Sequence, residues 1–550
     1  MYKNLVIKKY RLWLRRWREL KRFGPCLSTD IMAIAERNQD LIEKKTFTFC
    51  VPKALEAGAE LCMRQILFEF SRFDDRIVRF TLYYGAGIEK HLVLALPSSW
   101  LKVFAEKGCR ISRVRSGFYF VRFLIYKYLQ GVKSGLFMLR ALLSSQLPRV
   151  NKPYGVLMRM APDQCPKVRD SSYRRNFITW YQGWKDRDPR VEEIWAHCYK
   201  FKGETNQQGI TVVQGEHPFP LLSSLSLRLL VSIKVIWVVV FSGLAMLLGR
   251  WHYAIILQDI VHAVYGLHIP ENHWGREYIF HCSSPFVRPL WSYLAEAAGA
   301  RISMLHYSVN SWAVFPDKAP QPVVGGGEGL SSWPCYISMS EDHKRGLQKL
   351  RRQPIPVIVD PFVAFSDSGE SLDSVDLSKF VALFDVAGWR PLFMAKLGTN
   401  NPCVGSDATC KFLSLAIKAI KDRGLKVVYK AKRELHNDKM YLSKSYINLV
   451  RSFRNDPDIT VLSSAITAQR VIERCLAVVS MPYTSTAVIG KAAGKPSVFF
   501  DAVGTVSSVA PLVHGVQVVS GEAELTHWLD HSVLPLLQNS TLPQQKIISP

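Results

Sequence analysis

Acid is the scarce component of this chain. Across 550 residues, 45 Asp and Glu stand against 71 Lys and Arg, a formal charge of +26. That imbalance turns the molecule toward anions: nucleic acid, acidic lipid headgroups, sugar nucleotides or acidic glycans. The motifs of nucleic-acid readers are missing. There is no zinc-finger spacing, no ribonucleoprotein aromatic motif and no basic region followed by heptads, so nucleic acid is not expected as a partner. Cysteine pairs are missing as well. The eleven cysteines are odd in number, scattered from Cys26 to Cys475, and never spaced Cys-x-x-Cys. This excludes a disulfide scaffold and suits a reduced cytosolic setting. No His-Glu-x-x-His or other zinc spacing occurs. Asp74-Asp75 lacks the spacing of an Asp-x-Asp metal site and lies among arginines, where a salt-bridged surface pair is expected. With 48% apolar residues and no long polar tract, large-scale disorder is excluded. No internal repeat is found. The run Gly325 to Gly329 lacks the Lys-Ser/Thr of a P-loop, and Ser331-Ser332-Trp333-Pro334 prevents a following helix, so it reads as a loop between lobes.

A secretory leader is not expected, because the N-terminus has neither an uninterrupted apolar core nor a small-residue cleavage site. Instead Tyr2 to Phe23 carries nine Lys and Arg against the single acid Glu19, interleaved with Trp13, Trp17 and leucines roughly on one helical face. That pattern suits a helix lying on an anionic leaflet, and equally a basic helix packed on its own domain through the tryptophans. Leu229 to Leu248 is apolar apart from Lys234. Its uncharged part, Val235 to Leu248, is 14 residues, short of the roughly 20 that cross a hydrocarbon core. A monotopic or buried helix is the favoured reading over a span, and the chain is expected in the cytoplasm, resting peripherally on the inner membrane.

What is present is an alternation of short β-branched runs with helices. The apolar run Val381 to Val386 reads as a strand, followed by a helix Ala408 to Asp422 that closes at Gly424. A strand Leu425 to Tyr429, a helix Asp438 to Phe453 and a strand Ile459 to Leu462 follow. Next come a helix Thr467 to Arg474, a strand Leu476 to Ser480, a helix Ala487 to Ala493 and a strand Ser497 to Phe500. Such alternation predicts a doubly wound parallel sheet, with its ligand at the carboxyl ends of the strands. Two loops qualify there. One carries Lys430, Lys432 and Arg433; the other carries Thr484, Ser485 and Thr486 at a helix N-terminus. Cations beside hydroxyls and free amides suit a diphosphate or phosphodiester, whereas the bland alternative is surface basicity beside an ordinary capped helix.

The first half is less regular. His91 to Leu96 reads as strand before a helix at Ser99 to Glu106. Glu277 to Cys282 and Ile302 to Tyr307 read as strands around a helix at Pro289 to Ala298. These fragments predict a second Rossmann-like lobe interrupted by a largely helical, apolar insertion near 120–265. The expected organisation is a basic amphipathic segment 1–25, an N-terminal acceptor lobe 26–365 and a C-terminal nucleotide-sugar-binding lobe 379–550. Pro316 to Gly329 is expected to join lobes, and Ser366 to Ser378 to be a polar connection.

The string MPYTSTAVIGKAAGKPSVFFD, Met481 to Asp501, resembles the signature of bacterial polysaccharide-biosynthesis proteins named for their Pro-Phe-Thr-Ser motif, with Tyr483 in place of Phe. VALFDV at Val381, VVYKAKR ending at Arg433, RPLW at Arg288 to Trp291 and HYSVN at His306 to Asn310 extend the likeness over roughly the C-terminal half, in order. The resemblance implies glycosyl transfer on a two-lobed α/β fold of the GT-B type, without a bound metal or other cofactor. A more distant likeness is to GT-B sialyl- and Kdo-type transferases, which place a Ser/Thr pair as here. They carry His-Pro where this chain has Lys430-Ala431-Lys432-Arg433, and its only His-Pro, His217-Pro218, lies far upstream. A CMP-sugar donor is slightly favoured, and UDP or GDP stays open.

The transfer reading assigns donor-phosphate contacts to Lys430, Lys432, Arg433, Thr484, Ser485 and Thr486. It leaves three candidates for the base: His281, His306 and Asp385, each at a strand end. The partners expected are a nucleotide-sugar donor and a glycan or glycolipid acceptor of capsule or O-antigen type. An anionic membrane is also expected, met through Tyr2 to Phe23, with Leu229 to Leu248 as a second candidate contact. A non-catalytic glycan- or lipid-binding assembly factor on the same sheet is the alternative.

Overall fold

The structure is a computed structural model. It describes residues 41, 43–73, 93–106, 111–144, 147–160, 165, 177–198, 206–207, 209–216, 218–281, 287–309, 331–350, 354–360, 372, 376–390, 405–432, 435, 442–464, 466–504 and 512–540. Tyr2 to Phe23, Asp74-Asp75, His217, Gly325 to Gly329 and Arg433 lie outside the described residues.

Two mostly parallel sheets carry the fold. The first lobe contributes β1 (Tyr154–Leu157), β2 (Glu193–Cys198), β3 (Asn206–Gln207), β4 (Ile210–Gln214), β5 (Glu277–His281), β6 (Arg301–Leu305), β7 (Tyr336–Ser338) and β8 (Val357–Val359). Their order is β3-β4-β2-β1-β5-β6-β7-β8, parallel except for the β3–β4 pair. The second lobe contributes β9 (Phe380–Phe384), β10 (Lys426–Lys430), β11 (Ile459–Leu462), β12 (Ala477–Ser480), β13 (Ser497–Asp501), β14 (Leu512–Val513) and β15 (Val516–Ser520). Here the order is β11-β10-β9-β12-β13-β15-β14. Only the terminal β14–β15 hairpin is antiparallel. Its two-residue turn puts His514 at φ 51° and Gly515 at φ 73°, the left-handed pair that matches strand twist.

Helices cover both sheets: α1 (Glu56–Phe73), α2 (Ser98–Glu106), α3 (Arg113–Ser144), α4 (Phe177–Gly183), α5 (Leu225–Leu247), α6 (His252–Ile255), α7 (Leu257–Gly266), α8 (Trp291–Ala297) and α9 (Glu341–Leu350) in the first lobe. The second lobe has α10 (Ser406–Lys421), α11 (Lys444–Ser452), α12 (Ala468–Arg474), α13 (Ser485–Ala492), α14 (Gly521–Ser532) and α15 (Leu534–Ser540). The parallel strands are buried on both faces, which is why they read as unbroken apolar runs. In the first lobe a buried carboxylate, Glu277, is held by the Tyr181 hydroxyl at 2.6 Å, the Asp188 amide at 3.0 Å and the Arg301 guanidinium. It pins the start of β5, because an unpartnered charge there would be costly.

Four expectations need correction. Residues 120–265 are not one helical insertion: β1, β2, β3 and β4 lie inside them. Their short runs are interrupted by polar loops, which weakens the period-two signal beside long apolar helices. The apolar helices are α3, α5 and α7, which pack on one another. Val93 to Leu96 is buried but not a strand, and the Leu94 amide donates to Ser116 Oγ at 3.1 Å instead of a ladder. The helix expected from Asp438 starts at Lys444, because Ser443 caps it by accepting the Tyr446 amide. The segment Pro316 to Gly329 joins β6 to β7 of one sheet, so it does not join the lobes.

Close helix contacts depend on glycine. A Cβ at Gly131 of α3 would lie 2.4 Å from Leu257 of α7, one at Gly135 would lie 3.1 Å from Val239 of α5, and one at Gly243 of α5 would lie 2.6 Å from Tyr128 Oη. Position 128 thus meets 243 while 135 meets 239, so α3 and α5 run antiparallel over α7.

Candidate functional site

Each sheet reverses its strand order once, and the crevice outside such a reversal is where open α/β sheets hold ligands. In the second lobe the reversal lies between β9 and β12, with β10 on the far side of β9. Asp385 follows β9, Lys430 ends β10 and the hydroxyl turn follows β12. The two loops singled out in the sequence therefore flank Asp385.

Asp385 is buried. Its Oδ2 accepts the Tyr446 hydroxyl at 2.7 Å and the Tyr429 hydroxyl at 3.0 Å, while Oδ1 has no hydrogen-bond partner among the described residues. Burial pushes its carboxyl above the usual range, against the two tyrosines and the charge of Lys432. Tyr446 reaches it because residue 388 is glycine; a Cβ there would lie 2.6 Å from the ring. Lys430 is buried, with Nζ 3.4 Å from the Ala431 carbonyl, and Lys432 is exposed. Neither tyrosine was singled out from the sequence.

The hydroxyl turn is knitted together. Tyr483 stands at φ 59°, a left-handed conformation that a bulky residue adopts only under constraint. Thr484 is the N-cap of α13, yet its hydroxyl donates back to the Met481 carbonyl at 2.8 Å and does not cap the helix. Thr486 Oγ1 lies 2.7 Å from Ser480 Oγ and 3.3 Å from Thr484 Oγ1. The first-turn amides of α13 thus have no capping side chain, and the positive end of the helix dipole adds to their pull on an anion.

Ser485 is turned elsewhere. Its Oγ accepts the Val309 amide at 3.1 Å and lies 3.0 Å from Ser308 Oγ, both just after β6 of the first lobe. HYSVN and MPYTST, two strings that carry the family resemblance, therefore meet across the lobes. A second contact joins the turn after β7 and the start of α9 to the β14–β15 turn: the His514 amide donates to Asp342 Oδ2 at 2.6 Å, and Ser340 Oγ lies 2.6 Å from His514 Nδ1. The loops after β6 and β7 of the first lobe thus meet the second lobe at the start of α13 and at the turn that enters β15.

Beside these contacts three histidines are buried. His306 stacks on Tyr336 at 5.8 Å and meets His343 edge-on at 4.6 Å between ring centroids. Neither ring nitrogen of His306 has a hydrogen-bond partner among the described residues. Burial pushes His306 down to about 4 and His514 down to about 3; His343 is lowered by burial and then by the other two. All three are neutral at neutral pH.

In the first lobe the reversal lies between β1 and β5. Arg159, two residues after β1, and His281, the last residue of β5, occupy it. The His281 Nε2–H donates to the Arg159 carbonyl at 2.9 Å, while the Arg159 amide donates to His197 Nδ1 at 3.3 Å. His197 Nε2–H donates in turn to the Gly215 carbonyl at 2.9 Å. Two neutral imidazoles thus clamp Arg159 at φ 56°. His281 is lowered by burial, with Arg159 also disfavouring its charged form. Arg159 and His197 were missed in the sequence: the strand ending before Arg159 is four residues long, inside the region read as helical. Arg288 of RPLW is structural, donating to Ser292 Oγ at 3.0 Å and to the Ser332 carbonyl at 3.1 Å.

The family described as polysaccharide biosynthesis PFTS motif protein matches residues 232–529. No curated protein matches the chain. Distant likenesses exist among solved structures. TarM, known from S. aureus, is 11% identical with a TM-score of 0.29, over 51% of this chain and 52% of its own, so the chain matches about half of that protein. Anabaena HepE, in complex with UDP and glucose, is 11% identical over 71% of this chain and 92% of its own, with a TM-score of 0.34. Medicago truncatula UGT71G1, complexed with UDP-glucose, is 10% identical over 70% and 91%, with a TM-score of 0.33.

Proposed function

The chain belongs to the polysaccharide biosynthesis PFTS motif family, and from that premise we propose that it is a glycosyltransferase of bacterial surface-polysaccharide assembly. It moves a sugar from a nucleotide-sugar donor to a membrane-associated glycan acceptor at the cytoplasmic face of the inner membrane. The observation that carries this reading is the contact of Ser308 and Val309 with Ser485. It sets the donor-side turn of one sheet opposite the strand ends of the other, as transfer between two bound substrates requires.

The donor phosphates take the first-turn amides of α13, with Thr484 and Thr486 beside them and Lys430, Lys432 and Arg433 as counter-charges. Ser485 serves the turn by fixing it to the first lobe. These cations stabilise the departing phosphate in place of a metal. Of the three base candidates, His281 fits best: it is half-buried, neutral, and stands at the first-lobe reversal beside Arg159. It takes the proton of the acceptor hydroxyl as that oxygen bonds the anomeric carbon and the nucleotide phosphate leaves with the glycosidic electron pair. His306 is walled in by Tyr336 and His343, and Asp385 holds two tyrosine hydroxyls; both support the site from beneath. Arg159 orients an anionic group of the acceptor.

The test is transfer from radiolabelled CMP-, UDP- and GDP-sugars, CMP first, into a lipid extract of bacterial membranes. One donor labels the lipid fraction, EDTA leaves the rate unchanged, and His281→Ala lowers it by about 10² or more. Absence of transfer or donor hydrolysis with every donor would contradict the reading and leave an assembly factor.

A further inference from the structure

From the outer face of the α3–α5 pair we infer that this protein embeds a two-helix platform in an anionic lipid leaflet. The two antiparallel helices lie side by side on α7, which is almost wholly buried beneath them. Their faces turned from α7 carry stripes of large apolar side chains at helical spacing. On α3 these are Phe118, Val121, Ile125 and Leu129; on α5 they are Leu229, Ile233, Ile236, Val240, Leu244 and Leu247, every one exposed. In the most apolar stretch of α5 only 33% of the residues are buried. A face of this size on water marks a binding surface.

Charge selects what covers it. α3 has six Lys or Arg, α5 has two, and neither helix has an acid in its sequence. Arg122, Lys127 and Lys133 stand along the middle of α3, and the other cations flank the apolar stripes. Arg113 and Arg115 open α3; further along it Phe120 meets Trp251, with Lys45 over the Trp251 ring and Arg250 over the exposed Phe49. Arg140 lies near the other end of α3 and Arg228 near the start of α5, with Lys234 further in. Apolar stripes interleaved and fringed with cations and aromatic rings match the acyl–headgroup boundary of an acidic leaflet. A second copy would set this basic fringe against itself, and the chain's own basic N-terminal segment would do the same.

The geometry also fixes the mode of contact. Val231, Val235, Val238, Ser242 and Ala245 are buried along the length of α5, so this helix is docked on its lobe along one face. The inferred placement is in the plane of the leaflet, with the exposed stripe meeting the lipid side-on. That placement deepens the reading above by holding the acceptor lobe on the lipid surface, but its evidence is independent of any transfer.

The experiment is flotation of the full-length protein with phosphatidylcholine vesicles, with and without about 30 mol% phosphatidylglycerol. Two paired variants are compared, Ile236→Glu with Val240→Glu and Val121→Glu with Ile125→Glu, beside a second-lobe control, Lys411→Glu. All four positions of the pairs are at least 50% exposed, so the fold should survive, and an unchanged melting midpoint verifies it. The wild type and the control float with the acidic vesicles, and each pair lowers the bound fraction roughly tenfold. Three results overturn the inference: no flotation of the wild type, equal flotation of the paired variants, or a paired variant that dissociates a dimer by light scattering while still floating. Because flotation needs neither donor nor acceptor, its failure is distinguishable from failure of sugar transfer.

Discussion

The amide of Val309, one turn of chain beyond β6, donates to the hydroxyl of Ser485 at the start of α13. This 3.1 Å bond joins the two lobes where their strand ends meet. Ser485→Ala leaves a buried amide without its acceptor, which costs about 1–3 kcal/mol. Urea unfolding should show that loss, whereas Ser485→Thr, which keeps the hydroxyl, should show less. An alanine variant as stable as the wild type would remove this contact from the account.

Asp385 gives a prediction of opposite sign. Its folded-state carboxyl is raised by burial, so above the usual carboxylate range of about 3.8 the ionised form is disfavoured in the folded protein only. Stability contributed by this group therefore declines as pH rises through that interval. Asp385→Asn keeps an oxygen for the two tyrosine hydroxyls and drops the charge. It should be at least as stable as the wild type at neutral pH, with a flatter pH profile. Tyr446→Phe should instead lose about 1.5–3 kcal/mol, because it strips a donor from a carboxylate.

The pH dependence of transfer identifies the base. His281 is held below its ordinary 6.5 by burial. The rate should fall only as pH drops below that value, when the imidazole takes a proton in advance of the acceptor. His281→Gln should abolish this acid limb together with most of the rate. An acid limb above 6.5 would exclude His281.

Acid should loosen the lobe interface. For a base whose folded pKa is lowered, the unfolded chain binds more protons below 6.5, so stability is lost as pH falls from there toward about 4 for His306 and about 3 for His514. Each such histidine contributes a slope of about 1.4 kcal/mol per pH unit. His306→Asn should make the profile shallower, measured as unfolding free energy at a series of pH values.

The second lobe was largely legible in the sequence because its strands are short apolar runs punctuated by clear signals. Gly424 and Gly494 stand at φ 65° and 71° after their helices, and Thr467 caps the helix that it opens, whereas the cap at Ser443 was not read. The strand-end cations and the hydroxyl turn were found for the same reason. The first lobe was harder to read. Its β1 is four residues long and its β3 two, within a region that also holds the long apolar helices α3 and α5. Ser485's attachment to Val309, the Arg159–His281 pair and the Tyr429–Asp385–Tyr446 group depend on contacts between distant segments. No local pattern reports such contacts. Likewise α3 was not separated from the core, because its exposed stripe and its buried stripe are both apolar.

The most direct test of the central claim is the melting midpoint of the purified chain with CMP, UDP or GDP. A nucleotide bound at 100 times its dissociation constant stabilises by about 2.7 kcal/mol. One of the three should raise the midpoint of the wild type, and the Lys430→Ala, Lys432→Ala double variant should lose most of that rise while melting normally without ligand. A response to none of them, or an undiminished response in the double variant, would contradict a donor site at the β10 and β12 strand ends.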